Sequence, residues 1–207
     1  MKKTTTTLVV ALAIGLISCG GEKTETVAKE AAPEKVETTE MAYTIAADQS
    51  SVQWEGTMVG IYSHSGDIKL QSGALMTKDG MVTGGEFVID MKSINPTDEN
   101  YSEENPREAL IGHLGTGDFF SVDSIPTASF KVTKAEGNSV MGDLTIKGLT
   151  QPGTITDVKV EEKENAVMAT GKLVFDRQAF GVAYKAANDM VLSDDITLTI
   201  SLNGMAN

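Results

Sequence analysis

From Tyr43 onward, apolar and polar residues alternate along the chain with a period of two. In 52–58, for example, Val52, Trp54 and Met58 alternate with polar neighbours, and the same pattern recurs in 86–91, 128–133, 140–146, 171–175 and 196–202. Neighbouring side chains of a strand point to opposite faces, so each stretch predicts a strand with one apolar face. Further strands are predicted at 66–77 and 154–161.

Turn-forming residues separate the predicted strands. They are Lys78-Asp79-Gly80, Glu136-Gly137-Asn138, Lys147-Gly148 and Glu164-Asn165. About eight strands with one apolar face each suit either a sandwich or a closed antiparallel barrel, in which closure removes the exposed edges. The fold class is therefore all-β, and both architectures fit the alternation.

One short helix is expected between the strands. Asn105 is predicted as its N-cap and Pro106 as its first residue, followed by an acidic first turn. The helix should continue over 109–114 and end at Gly115 or Gly117. An apolar pair, Phe119-Phe120, follows it.

The first residues of the chain have the features of an export signal. Lys2 and Lys3 precede an apolar run over 8–17, which is about half the ~20 residues needed to span a bilayer. The run ends at Leu16-Ile17-Ser18-Cys19, which resembles the lipobox of bacterial lipoproteins. We therefore expect a lipoprotein signal peptide over 1–18 and lipidation of Cys19. The alternative is an ordinary secretory peptide with Cys19 near its cleavage site by coincidence.

Residues 19–42 are predicted to be the lipidated cysteine and a flexible acidic tether, because they contain almost no large apolar side chain. The folded domain is expected over 43–207. We expect an anchored protein of this kind in the bacterial cell envelope. Stable attachment to a membrane needs more than one acyl chain. Gly20 and Gly21 after the cysteine favour the outer membrane. We expect the protein to face the periplasm there.

Charge and residue counts exclude several classes of function. The chain has 17 Lys and Arg against 29 Asp and Glu, a net charge of −12, and no basic cluster. A nucleic-acid partner is therefore not expected. A single cysteine excludes an internal disulfide, and two distant histidines, His64 and His113, lack metal-ligand spacing. We expect no metal and no required cofactor.

Catalysis is not expected either. His64 lies between Ser63 and Ser65, but neighbouring residues of a strand point to opposite faces, and the G-x-S-x-G turn of many serine hydrolases is missing from the sequence. His113 is interpreted as a residue favoured by the dipole at the end of the helix. An enzyme that uses His64 with a nearby serine or carboxylate remains the less favoured alternative.

The apolar face allows two interpretations. Glycines and small residues alternate with Phe and Met, which suits an elongated apolar cavity for one ligand. The same residues could also interdigitate as a dry core.

The ordered motifs of the domain resemble those of the YceI-like family of exported lipid-binding proteins. The similarity extends from about Tyr43 to Leu202 and includes Val52-Gln53-Trp54-Glu55-Gly56, Ser63-His64-Ser65-Gly66, Gly84-Gly85-Glu86-Phe87-Val88-Ile89-Asp90-Met91, Leu110-Ile111-Gly112-His113-Leu114, Asp118-Phe119-Phe120, Pro126-Thr127-Ala128-Ser129-Phe130, Gly142-Asp143-Leu144-Thr145-Ile146-Lys147-Gly148, Asp176-Arg177 and Phe180-Gly181-Val182.

This resemblance implies an extended lipocalin-like antiparallel barrel that holds a polyisoprenoid, a quinone-type lipid or a related amphiphile. Residues implied to line the cavity are Trp54, Phe87, Phe119, Phe120, Phe130, Leu144, Phe175 and Phe180. His64 and Arg177 are the candidates for head-group contacts at its mouth. For Arg177, an ion pair with Asp176 or a loop carboxylate is the alternative.

The resulting hypothesis is a lipid-anchored protein that sequesters or transports an isoprenoid lipid without turning it over. Its expected partners are that lipid and the membrane, with a homodimer as one way to close the barrel over a long chain. The alternative is an envelope interaction protein with a filled barrel and no ligand.

Overall fold

The computed structural model describes residues 39–185 and 191–207. The predicted signal peptide, Cys19 and most of the predicted tether lie outside the described residues. The strands are β1 (Met41–Ile45), β2 (Ser51–Met58), β3 (Tyr62–Lys78), β4 (Met81–Pro96), β5 (Thr127–Glu136), β6 (Ser139–Ile146), β7 (Leu149–Lys163), β8 (Ala166–Asp176) and β9 (Leu192–Ala206), and the helix is α1 (Arg107–Gly115).

The strands form a closed antiparallel barrel. From β2 to β9 each strand pairs with the next one along the chain, and β2 pairs with β9 to complete the circle. The short β1 is bonded to the last part of β3 and to the end of β9. Closure into eight strand positions confirms the predicted barrel and rules out the sandwich.

The two ends of the barrel are built differently. At one end, which we call the closed end, two-residue turns connect β3 to β4, β5 to β6 and β7 to β8. Asp79 and Gly80 have φ values of 56° and 72°, the left-handed conformation that tight hairpins of twisted strands require. At the other end, the capped end, two long connections join β4 to β5 and β8 to β9. The first of them contains α1.

Side chains fill the interior at the closed end. Tyr43 of β1 is 1% exposed and Thr77 of β3 is 0% exposed. The Tyr43 hydroxyl donates to the Glu162 carboxylate and also meets the Thr77 hydroxyl, which itself donates to Glu162. Burial, followed by the charge of Glu162, raises the pKa of Tyr43. Around this group pack Ile45, Leu75, Val82 and Val167.

The structure corrects several predicted boundaries. Strand β1 begins at Met41, so the fold starts two residues before the expected Tyr43. Both β3 and β7 extend beyond the predicted 66–77 and 154–161, because backbone pairing continues past the apolar alternation into polar ends.

The predicted helix start was also wrong in detail. The helix begins at Arg107, and Pro106 is the N-cap residue, with φ −73° and ψ 157°. Asn105 instead closes a turn in which its N–H donates to Ser102 Oγ over 3.1 Å. The helix ends at Gly115, and the Thr116 N–H donates to the His113 carbonyl. None of the helices among the described residues has both the length and the apolar character needed to cross a membrane.

Candidate ligand-binding cavity

The barrel encloses a cavity of about 980 Å³. Its walls are the inward-facing side chains of the strands, because the period of two puts every second residue on the interior face. Apolar wall residues include Val52, Leu70, Met91, Ile155, Leu173 and Leu198. The exposed segment 99–106 borders the cavity, so its rim lies at the capped end.

The cavity occupies only part of the barrel. Its lining reaches Val52, Leu70 and Leu202 but does not include Tyr43 or Leu75 of the closed end. The interior is therefore packed at the closed end and hollow toward the capped end. A barrel filled throughout with side chains does not describe this structure.

Glycines allow the large rings to lie close against the wall. A Cβ atom on Gly142 of β6 would lie 2.5 Å from Cζ of Phe130 on the neighbouring strand, and 2.4 Å from the Lys131 carbonyl oxygen. Such distances are far below van der Waals contact, so a side chain at position 142 would displace the ring. Glycine there places Phe130 against the backbone of β6.

The structure brings together most of the residues that were predicted to line the cavity. Those on its wall are Trp54, Phe87, Phe119, Phe120, Phe130, Leu144 and Phe175. Phe180 is the exception, because it lies in the 3-10 turn Arg177–Phe180 after β8. Its ring is 2% exposed and packs edge-on against Phe175, at 5.5 Å between centroids. Phe180 supports the wall from behind, and a direct role in binding remains a prediction for the other seven.

An aromatic cluster covers the cavity at the capped end. The imidazole of His113 on α1 meets the rings of Phe119 and Tyr184 edge-on, at 4.9 and 4.8 Å between centroids. Leu110 and Leu114 of α1 also line the cavity. His113 was interpreted only as a helix-end residue, and its packing links α1 to the connection before β9.

A polar group lies on the rim. His64 Nδ1 is 3.1 Å from Oδ1 of Asp98 and 3.3 Å from its Oδ2. The Ser65 N–H and the Tyr101 hydroxyl donate to the same carboxylate, over 3.0 and 2.9 Å. The His64 ring stacks on Tyr101 at 5.2 Å and meets Tyr62 edge-on at 4.9 Å. These contacts fix the imidazole at the edge of the cavity that it lines.

Hydrogen bonding determines the ionisation of Asp98. Burial alone would raise its pKa, but bonds from the N–H groups of Asn100 and Ser65 and from His64 and Tyr101 outweigh it and lower the pKa to about 2. For Tyr101, burial and then the bond to Asp98 raise the pKa to about 12. Asp98 is thus a carboxylate and Tyr101 a neutral phenol over the physiological range.

Arg177 lines the cavity but is fully engaged by the protein. Its side chain is 5% exposed, and Nη2 forms an ion pair with Asp194 Oδ1 at 3.0 Å. The guanidinium also donates to the carbonyls of Val182, Ser193 and Leu192. The alternative interpretation, an ion pair, therefore describes this residue better than a cation free for a head group. The partner is Asp194 on β9, whereas Asp176 accepts from the Gln178 N–H.

The hydroxyl of Ser63, the residue before His64, has a partner other than the imidazole. The Ser63 hydroxyl hydrogen-bonds to Thr57 at 2.9 Å, and within 39–185 and 191–207 no hydroxyl meets the imidazole. The same described residues contain no group of three or more His, Cys, Asp or Glu that could hold a metal ion.

No pattern in the sequence indicated that Asp98 or Tyr101 belongs to the site. Asp98 is 34 positions from His64, and the two meet only because the first residues after β4 run beside β3. The Thr97 and Asp98 N–H groups both donate to the Ser65 carbonyl there. Only knowledge of the β3–β4 register could have predicted this contact.

Comparison with known proteins identifies the family. The model of the YceI-like domain matches residues 43–204, which is most of the chain. The chain belongs to the YceI-like family.

Among curated relatives of this YceI-like protein, UPF0312 protein SA2479 of Staphylococcus aureus is 33% identical over 89 residues, covering 39% of this chain and 50% of the relative. A UPF0312 protein of Pseudomonas aeruginosa is 42% identical over 65 residues, or 30% of this chain and 31% of the relative. The chain thus spans half or less of the length of these relatives.

Solved structures share the fold of this YceI-like protein. Burkholderia cenocepacia BcnA superimposes with a TM-score of 0.56 at 19% identity, covering 77% of this chain and 98% of that protein. A polyisoprenoid-binding domain from Saccharophagus degradans superimposes with a TM-score of 0.54 at 13% identity, covering 81% and 99%. At these identities the likeness concerns the fold alone.

Proposed function

We propose that this YceI-like protein binds a long isoprenoid or related amphiphilic lipid inside its barrel, and sequesters or carries it without chemical turnover. One observation supports this most: a cavity of about 980 Å³ with apolar walls, whose charged and amide groups lie at the capped end. That volume is at the upper end of the ~300–1,000 Å³ typical of small-molecule sites.

The distribution of polar groups suits an amphiphile. Removing each CH₂ group of a chain from water contributes about 0.8 kcal/mol, so a long chain gains most by entering the apolar depth of the barrel. The head group would then remain beside His64 and segment 99–106, where polar partners and solvent are available. Similarity in fold to the polyisoprenoid-binding domain of Saccharophagus degradans supports the same class of ligand.

We further propose that the mature protein is attached to the bacterial outer membrane through lipidated Cys19, with the tether placing the barrel in the periplasm. This proposal is based on the sequence around Cys19. Membrane fractionation of cells that express the chain or its Cys19→Ala variant tests it. The chain should sediment with outer membranes and the variant should not; equal distribution of both would contradict the anchor.

Ligand binding is tested by native mass spectrometry of the full chain carrying Cys19→Ala, purified without detergent and then extracted with organic solvent. The substitution prevents acylation, so any lipid recovered was bound non-covalently. We expect an additional mass that extraction identifies as an isoprenoid chain. If the protein is recovered without lipid and added geranylgeraniol leaves the fluorescence of Trp54, the only tryptophan, unchanged, the proposal is wrong.

A further inference from the structure

The imidazole of His64 is held through one of its two nitrogens. Nδ1 bonds to Asp98, while no group within the described ranges hydrogen-bonds to Nε2. The ring is 21% exposed and lines the cavity. The rim therefore has one ring nitrogen that is available to a ligand.

The partner of Nδ1 determines what Nε2 can do. Asp98 is an ionised carboxylate that accepts four hydrogen bonds, from Ser65, Asn100, Tyr101 and His64. A carboxylate has no proton to donate, so Nδ1 must carry the hydrogen of this contact. In the neutral imidazole the lone pair is then on Nε2, which makes this nitrogen an acceptor.

The charges at the rim are unfavourable for an anionic head group. Glu99 lines the cavity next to Asp98, and Glu103 and Glu104 follow on the same connection. Arg177 is the only Lys or Arg on the wall among the described residues, and its guanidinium is occupied by Asp194 and three carbonyl groups. Arg107, at the start of α1, lies near enough to Tyr101 to act on it electrostatically, but its Nε and Nη2 donate to the Pro96 carbonyl and the Asn95 side-chain oxygen. A phosphate would therefore have to compete with these protein acceptors for a cation at the rim.

We infer that Nε2 of His64 accepts a hydrogen bond from the hydroxyl group of an uncharged ligand head, so that the protein prefers isoprenoid alcohols or hydroquinones over prenyl phosphates. This inference rests on the proposed function and specifies its ligand class. Asp98 acts as a positioning residue, since it fixes the imidazole tautomer without reaching the ligand.

The test compares four C20 probes on the Cys19→Ala chain: geranylgeraniol, its methyl ether, geranylgeranyl phosphate and the parent hydrocarbon. Dissociation constants come from the fluorescence of Trp54 at pH 8.5, above the range in which imidazole side chains commonly titrate. The ether retains the oxygen but lacks the donor hydrogen. We expect the alcohol to bind about fivefold to tenfold more tightly than the ether, the value of one hydrogen bond, and more tightly than the phosphate.

Two substitutions locate the preference at His64. His64→Phe keeps a ring between Tyr62 and Tyr101 but has no acceptor, so the alcohol and the ether should bind equally. His64→Gln offers a carbonyl oxygen near the position of Nε2, so part of the preference should return. Should either variant fail to fold, the four probes on the unsubstituted site still decide.

The outcomes separate the two proposals. Equal binding of the alcohol, ether and hydrocarbon would contradict the head-group inference and leave the lipid-binding function intact. Tighter binding of the phosphate than of the alcohol would also overturn the inference. Failure of all four probes to bind would contradict the proposed function itself.

Discussion

The closed end and the capped end of the barrel are formed by the same strands with the same apolar alternation, yet only the closed end is packed. At the closed end, β1 adds a short segment whose Tyr43 and Ile45 occupy the interior. At the capped end, α1 and the aromatic side chains of the connections lie over the opening and leave the interior hollow.

This difference shows how one barrel separates stability from binding. Packed interior side chains and most of the tight hairpins lie at the closed end, whereas two long connections and the hollow part of the interior lie at the capped end. Elements of low local stability are those that can open for a ligand. We therefore expect substitutions at the closed end to reduce stability and substitutions at the capped end to reduce binding.

The largest effect is expected from Tyr43→Ala at the closed end. Loss of a fully buried aromatic ring leaves a cavity and should lower the free energy of unfolding by about 3–5 kcal/mol. Urea denaturation of the Cys19→Ala chain, with and without this substitution, measures it. Tyr43→Phe is the matched control, since it removes only the hydroxyl and should cost about 1 kcal/mol. A loss below 1 kcal/mol for Tyr43→Ala would show that the closed end does not stabilise the fold.

Replacing one alanine at each location by phenylalanine compares the packed and the hollow part of the barrel directly. Ala169 is buried in the packed part of the core, whereas Ala128 faces the cavity. Ala169→Phe should therefore overpack the core and cost up to about 3 kcal/mol in stability. Ala128→Phe should project into empty space, change stability by less than about 1 kcal/mol and weaken geranylgeraniol binding by about tenfold or more. Equal effects of the two variants on both stability and binding would contradict the division between the ends.

Much of this architecture could be predicted from the sequence, for reasons that the structure makes clear. Alternation in stretches such as 196–202 directly reports which residues face the interior, because the side-chain period of a strand is fixed at two. The pair Asp79-Gly80 could be recognised as a turn because its conformation depends on local residue chemistry. Alternation does not show how completely an interior is filled, and the choice between a cavity and a dry core needed the structure.

The side-chain partners at the rim could not be predicted from the sequence. Asp98 and Arg177 form contacts that depend on how two long connections lie over the strands. Unlike a strand, a connection has no periodic sequence pattern from which its path could be predicted. Phe180 was placed on the wall by its motif, but the 3-10 turn directs its ring behind Phe175. Motifs thus identified the right region of the barrel while the individual roles of these residues required coordinates.

Acid should weaken the capped end through Asp98. Its pKa is about 2 in the folded protein, against the ordinary value of 3.8 for an aspartate in an unfolded chain. The group therefore stabilises the fold above pH 3.8, and this stabilisation, roughly 2 kcal/mol, is lost as the pH falls toward 2. Urea denaturation between pH 7 and 2.5 should show a smaller loss for Asp98→Asn than for the unsubstituted chain. If both proteins lose the same free energy of unfolding between pH 7 and 2.5, this role for the carboxylate is contradicted.

The smallest effect is expected from Gly112→Ala on α1. A Cβ atom at this exposed helical position meets nothing within 4 Å, so the substitution should stabilise the protein by about 0.5–1 kcal/mol through helix propensity. Gly142→Ala is the contrasting control and should destabilise, because its Cβ would collide with Phe130. Thermal unfolding followed by circular dichroism compares the two. If Gly112→Ala lowers the melting temperature, α1 is packed more tightly than described.

The central claim is most directly tested by a crystal structure of the Cys19→Ala chain with geranylgeraniol. We predict electron density for the isoprenoid chain inside the cavity against Phe87 and Phe130, which are neighbours on β4 and β5. Its hydroxyl should lie within hydrogen-bond distance of His64 Nε2, and the closed end should be unchanged around Tyr43. An empty cavity at saturating ligand, or a ligand bound only on the outer surface of the barrel, would contradict it.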